Sequence, residues 1–351
     1  MQIIEKIIER IKPLDSKAME QARQRQDRLT KPRGSLGRLE ELSIQIAGIT
    51  AQPIPRLKRK AILTMAADHG VTAQGISLYL AEVTRQMVIN FLEGGAAINV
   101  LSRMIGARVI IVDMGVCGGL PASDDITCKR IAFGTKDMSS GPAMTRRQAM
   151  DCLVAGIEIV EKEIKAGLDI LGTGDMGIGN TTSASAITAV ISGQPVSEVT
   201  GRGTGIGDQQ LAHKVKIIEQ SLTVNRPDAA SPLSLLEKVG GFEIGGLAGA
   251  MLAAAANHIP VVIDGFISGA AALIAAGICP RARDYMIASH LSAEKGHAAC
   301  LRHLKLEPIL KLNLRLGEGT GAALGIFLAE SSVNLLREMA TFSEAGVSDI
   351  Q

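Results

Sequence analysis

Glu318 stands between Gly317 and Gly319 in the run Leu316-Gly317-Glu318-Gly319-Thr320-Gly321-Ala322, where an apolar helical stretch begins. The positive end of such a helix stabilises a carboxylate and keeps it ionised. That suits a general base, and it equally suits an ordinary N-cap. Taken alone, the pattern slightly favours the cap. A second candidate is the segment Gly172-Thr173-Gly174-Asp175-Met176-Gly177-Ile178-Gly179-Asn180-Thr181-Thr182, a G-x-G-x-x-G run between an apolar stretch and a helical one. Its glycines permit a tight turn, and the helix start offers unpaired N–H groups to an anion. A dinucleotide site would need an acidic residue closing the next strand. Glu198 lies near the required distance but follows Gly193-Gln194-Pro195, and no G-x-x-x-x-G-K-[ST] occurs. A third glycine run, Gly201-Arg202-Gly203-Thr204-Gly205-Ile206-Gly207, precedes another helix that carries Lys214. It reads either as a second wall of a phosphate site or as a flexible connection with a solvated lysine.

Other chemistries find less support. The six histidines form no H-x-x-x-H or H-x-H pair, and the five cysteines form no C-x-x-C, so no metal site is expected. The cysteines read as reduced thiols of a cytosolic protein. His290 reads as a loop histidine, and Asp68-His69 as polar lining of a cleft. A net charge of +2 provides no field for a polyanion, and six Phe, two Tyr and no Trp provide no base-stacking platform, so no nucleic-acid partner is expected. The apolar stretch Ile244–Ala256 is too short for a membrane span, and Met1-Gln2-Ile3-Ile4-Glu5-Lys6 is no signal peptide. A soluble, cytoplasmic protein is expected.

The elements that position these residues follow from periodicity. With 46% hydrophobic and 21% charged residues over 351 positions, the chain can bury one large core or two smaller ones. Ile3, Ile4, Ile7, Ile8 and Ile11 mark one helical face, closed by Pro13. Residues 16–29 read as a second helix. Ser35 is a plausible N-cap for a third, with a stripe of Leu36, Leu39, Leu42, Ile46 and Ile49. Gln52-Pro53-Ile54-Pro55 reads as a linker. Beyond it, apolar runs at Ala61–Ala67, Arg108–Asp113, Arg130–Phe133, Leu168–Leu171, Val261–Asp264 and Tyr285–Ala288 alternate with helical stretches near 82–104, 145–166, 180–192, 207–224, 244–257 and 268–277. Thr320–Phe342 reads as one long last helix that could return to the N-terminal ones. Strands apolar throughout, alternating with helices, predict an α/β fold with a Rossmann-like open parallel sheet of about six strands and helices on both faces. Ligands of such sheets bind beyond the carboxyl ends of the strands. There the sequence places Asp68-His69-Gly70, Asp113, Asp175, Asp264-Gly265 and Ser289-His290.

Several longer motifs occur together: Lys31-Pro32-Arg33-Gly34-Ser35-Leu36-Gly37, Ala67-Asp68-His69-Gly70, Gly174 to Thr182, Lys238-Val239-Gly240-Gly241-Phe242, Asp264-Gly265-Phe266, Ser289-His290-Leu291-Ser292-Ala293-Glu294-Lys295-Gly296 and Leu316 to Ala322. In this order, from about residue 30 to 340, the chain resembles the nicotinate-nucleotide–dimethylbenzimidazole phosphoribosyltransferase family of cobalamin nucleotide-loop assembly. The resemblance implies transfer of the phosphoribosyl group of nicotinate mononucleotide to dimethylbenzimidazole or a related lower-ligand base. It implies a homodimer, no cofactor and no metal, with a large α/β domain over residues 53–327 and a small helical domain from 1–52 and 328–351. It also implies Glu318 as general base, with Asp175 as a second acidic residue where many relatives carry Glu. The base pocket would comprise Tyr79, Gln86, Met176 and Leu316, although Leu78-Tyr79-Leu80 departs from the family's Tyr-Pro pattern. The phosphate would lie on Gly177, Ile178, Gly179, Asn180, Thr181 and Gly203 with Lys214, and Asp264 would make polar contacts in the cleft. The glycine run alone would otherwise suggest a nicotinamide-dependent oxidoreductase, and the sheet alone a non-catalytic nucleotide sensor.

Overall fold

The computed structural model describes residues 2–348. Met1 and residues 349–351, the ends of the expected helical domain, lie outside the described residues. The chain opens with three helices, α1 (Gln2–Arg10), α2 (Ser16–Gln26) and α3 (Arg38–Thr50), followed by strand β1 (Lys60–Ala67). Next come α4 (Glu82–Leu92), α5 (Ala97–Ile105), β2 (Ala107–Gly115), β3 (Ile126–Cys128), α6 (Arg146–Lys165) and β4 (Ile170–Met176). Helices α7 (Asn180–Ser192), α8 (Val196–Val199), α9 (Asp208–Asn225), α10 (Pro232–Val239) and α11 (Phe242–Ala256) lead to β5 (Val261–Ile263). The chain then runs through α12 (Phe266–Ile278), β6 (Met286–Ala288), α13 (His297–Leu304), α14 (Thr320–Glu338) and α15 (Phe342–Ala345).

The six strands are all parallel, in the order β3-β2-β1-β4-β5-β6. Along β1, Ala61, Leu63, Met65 and Ala67 enter one core, while Ile62 and Ala66 enter the other. Burial on both faces explains why the run is apolar without alternating. From β1 the chain winds to β2 on one side, whereas β4 lies on the other. The carboxyl ends of β1 and β4 therefore flank the point where strand order reverses, the place where ligands of such sheets bind. Between the Ala66–Asp113 and Ala67–Gly115 pairs β2 carries one extra residue, Met114, a bulge at this end of the sheet.

On one face α11 is buried over its entire length and lies on α6 at backbone distance. A Cβ on Gly156 would fall 1.9 Å from the Gly246 carbonyl oxygen, and one on Gly249 would fall 2.0 Å from that of Leu153. Helix α1 packs against α11 and α6 through this core. On the other face α14 packs against α3 and α5, and α2 against α3. No helix among the described residues is long and apolar enough to cross a membrane.

Several elements depart from the sequence expectation. Arg130–Phe133 is not a strand. The pairing with β2 is made by Ile126–Cys128, after which the Arg130 guanidinium turns back to Asp113 (Nε–Oδ2 2.9 Å) and pulls the chain off the edge. The stretch 82–104 is two helices, because Gly94 adopts a left-handed conformation (φ 75°). Ser35 caps nothing. Glu40 accepts from the Leu36 N–H and from Lys31, holding residues 32–37 in turns, and α3 begins only after Gly37. The last helix stops at Glu338 and resumes as the single turn α15. Helices α8, α10 and α13 were not anticipated.

Candidate active site

At the floor of the crevice the backbone of Gly317, Glu318 and Gly319 is left-handed at three successive residues, with φ of 84°, 64° and 97°. For the glycines this is unstrained, whereas a glutamate there is held by its surroundings. The Glu318 N–H donates to the Asp175 carbonyl (3.1 Å), and Thr64 Oγ1 donates to the Glu318 carbonyl (2.9 Å). Gly174 lies beneath, where a Cβ would fall 2.3 Å from the Glu318 carbonyl oxygen. One glycine of the G-x-G-x-x-G run thus admits the backbone of the candidate base. The Glu318 side chain does not cap its own helix. Its Oε2 accepts from the Ile98 N–H (3.4 Å) at the start of α5. The start of α14 is capped by Asp264, whose two carboxylate oxygens accept from Gly319 N–H (3.2 Å) and Ala322 N–H (3.0 Å).

These carboxyls are forced toward the neutral form. Burial raises Glu318, partly offset by the Ile98 N–H. Burial raises Asp264 to about 7 against its backbone donors. Burial, followed by the charges of Asp264 and Glu243, pushes Asp175 well above the usual carboxylate range. The Asn180 amide donates to Asp175 Oδ2 (2.8 Å), tying that residue to the first turn of α7.

Helix α7 starts at Gly179 without a side-chain cap, leaving its N-terminus open to an anion. Lys214, 1% exposed, donates to Thr181 Oγ1 (2.7 Å) at the same place. Burial lowers its pKa to about 8, with Glu294 opposing. Both features border one pocket of 440 Å³, whose wall also carries the apolar side chains of Ile76, Val83, Met87, Met176 and Leu316. A smaller annex of 60 Å³ shares Asp175, Asn180 and Thr181 with it.

Of the residues expected at the site, Tyr79, Asp175, Met176, Gly177, Ile178, Gly179, Asn180, Thr181, Gly203, Lys214, Leu316 and Glu318 line this pocket. Gln86 does not; it is exposed on α4, where Val83 and Met87 face the pocket instead. Asp264 is fully buried and serves the α14 N-terminus from below. Asp68 and His69 are buried at 3% and 2% exposure and lie outside the lining, because Asp68 turns to the Cys117 N–H and His69 to Glu243. His290 borders the annex, its pKa lowered to about 4 by burial. Sequence reasoning missed Arg315, which donates to the Gly203 carbonyl (2.9 Å), as well as Glu294 and Thr204. Glu294 lies within a recognised motif, and Arg315 directly precedes another. Among the described residues, no group of three or more His, Cys, Asp or Glu is arranged to hold a metal ion.

Comparison with known proteins identifies the family. The sequence model of a family described as Phosphoribosyltransferase matches residues 11–347. The chain is 58% identical over 348 residues to the nicotinate-nucleotide–dimethylbenzimidazole phosphoribosyltransferase of Desulforudis audaxviator, covering 99% of each. It is 57% identical over 349 residues to the enzyme of that name from Chloroflexus aurantiacus, again covering 99% of each. The crystal structure of the Thermus thermophilus enzyme superimposes with a TM-score of 0.91 at 43% identity, over 96% of this chain and 100% of that one. The chain belongs to the nicotinate-nucleotide–dimethylbenzimidazole phosphoribosyltransferase family.

Proposed function

We propose that the protein transfers the phosphoribosyl group of nicotinate mononucleotide to dimethylbenzimidazole or a close relative, giving the α-riboside phosphate and nicotinate. The observation that carries this reading is the shared wall of one pocket: a buried carboxylate, Glu318, among apolar side chains, together with an uncapped helix start and a buried lysine. The apolar part suits a flat aromatic base, with Tyr79, Met176 and Leu316 against the ring. Gly177–Thr181, Gly203 and Lys214 suit the phosphate.

The chemistry asks little more. The nicotinate ring is already a pyridinium, so the C1′–N bond breaks with its electron pair returning to the ring nitrogen, and nicotinate leaves without an acid. The lone pair of the unprotonated benzimidazole nitrogen forms the new bond to C1′ from the opposite face, which inverts β to α. Glu318 takes the proton from the other azole nitrogen, and its raised pKa brings it nearer to the working pH for that transfer. Asp175 enters as a neutral hydrogen-bonding group beside it. Positioning of the two substrates supplies much of the remaining acceleration.

A homodimer is part of this reading. It is supported by Val100 and Met104 on α5 and Phe327 on α14, which stay 47%, 78% and 54% exposed on helices packed against each other. Five cysteines without a disulfide support the cytoplasm as the compartment. The test is incubation with nicotinate mononucleotide and dimethylbenzimidazole, followed by mass detection of nicotinate and the α-riboside phosphate. Binding of the mononucleotide without turnover would instead mark a sensor.

A further inference from the structure

His69 and Glu243 form a buried hydrogen-bonded pair outside the pocket lining, although the Glu243 charge reaches Asp175. Their side chains are 1% and 0% exposed, and His69 Nε2 lies 2.8 Å from Glu243 Oε1. Burial alone would lower the histidine pKa, but the charge and hydrogen bond of Glu243, with the charge of Asp68, overcome it and raise it above the ordinary histidine value. Charges so deep are costly to desolvate, and hydrophobic packing would serve stability as well. Their placement suggests another role. The other ring nitrogen, Nδ1, lies 3.2 Å from Ser183 Oγ in the first turns of α7. Ser183 in turn donates to the Gly240 carbonyl (3.4 Å), just before α11. The ring thus links the end of β1 to the starts of α7 and α11. It also backs the loop between β4 and α7: a Cβ on Gly177 would lie 3.5 Å from His69 Cδ2, and one on Gly179 would lie 3.4 Å from His69 Cβ.

We propose that the His69–Glu243 pair, acting through Ser183, is a positioning device for the anion-binding loop Gly177–Thr181. It fixes the α7 N-terminus at the spacing the substrate phosphate requires, with the His69 ring packed behind the loop and Glu243 bonded to its Nε2. This inference rests on the reading of that loop as the phosphate site.

The test measures KM for both substrates and competitive inhibition by inorganic phosphate in Ser183→Ala, Glu243→Gln and Lys214→Ala. Loss of the Ser183 hydrogen bond to the ring, or of the Glu243 charge beside it, should raise KM for the mononucleotide and the phosphate Ki about threefold to tenfold. KM for dimethylbenzimidazole should stay within about twofold, the split expected when only one substrate's binding is disturbed. A pair that merely holds the fold together would lower the melting temperature and the active fraction while leaving both KM values alone, and that result overturns the proposal. Ser183→Ala removes no charge, so it carries the test if Glu243→Gln does not fold. If Lys214→Ala weakens phosphate inhibition and the other two variants do not, only the positioning role falls. If Lys214→Ala has no effect either, the phosphate reading of the loop falls, and this inference falls with it.

Discussion

Glu318→Gln separates a base from a structural carboxylate, because the two roles predict opposite thermal behaviour. A good N-cap is worth about 0.5–2 kcal/mol. Among the described residues, the only N–H that the Glu318 side chain accepts is at 3.4 Å, beyond the usual range, and a glutamine carbonyl can still take it. Loss of that contact therefore costs little. The ionised carboxylate is itself a burden, since burial raises its pKa. A raised folded-state pKa contributes stability that is present below the unfolded value and lost as pH rises through the folded one. At about pH 8, the wild type carries that loss and the glutamine variant does not. The variant should therefore melt at or slightly above the wild-type temperature there, with the difference closing in acid. Its kcat should nevertheless fall about 10²–10⁴-fold, the usual worth of a general base. Residual turnover should depend on Asp175. The Glu318 charge is one of those that keep Asp175 neutral, so its removal lets Asp175 ionise more readily. Adding Asp175→Asn should lower kcat further. Steady-state kinetics and melting curves on the same preparation decide the matter. Near-wild-type kcat per folded molecule, with a lowered melting point, would refute the assignment.

Three further outcomes follow from the same geometry. Gly174→Ala should leave KM for the mononucleotide nearly unchanged and cut kcat about tenfold or more, because the added Cβ meets the Glu318 carbonyl oxygen at 2.3 Å and displaces the base; equal kcat would show that the backbone gives way freely. With the Lys214 pKa lowered to about 8, its ammonium is present below that pH and lost above it, so KM for the mononucleotide should climb in alkali; Lys214→Arg should abolish the climb, since arginine stays protonated. Met176→Ala should change kcat/KM unevenly among benzimidazoles, by about tenfold or more between bases differing in methylation, and a uniform loss would mean that Met176 only packs its loop.

What could be read from the chain alone was local. Helix α7 has the bounds expected of it because Gly179 and Gly193, both left-handed, punctuate it at either end. The parallel sheet followed from runs such as Ala61–Ala67, apolar on both faces. Features that depend on distant partners were not legible. Glu318 follows the pattern of a helix cap, yet Asp264, far off in sequence, had already taken that place. Asp68-His69 sits at a strand end and was expected in the cleft, but its partners Cys117 and Glu243 draw it inward. Gln86 and Met87 are neighbours on α4, and only the packing of that helix decides which faces the pocket.

The backbone contact between α6 and α11 inverts the ordinary asymmetry of core mutagenesis. In most interiors the damaging change is truncation, because large side chains leave cavities. Here the inner helix is largely alanine and glycine, so truncation has little to remove. At Gly156 and Gly249 a single added methyl meets a carbonyl oxygen at 2.0 Å or less, which no rotamer can relieve. Random mutagenesis of this layer should therefore select against enlargement, and variation should concentrate on the opposite face of the sheet, where Ile46, Phe91 and Ile326 provide side chains that can shrink or repack.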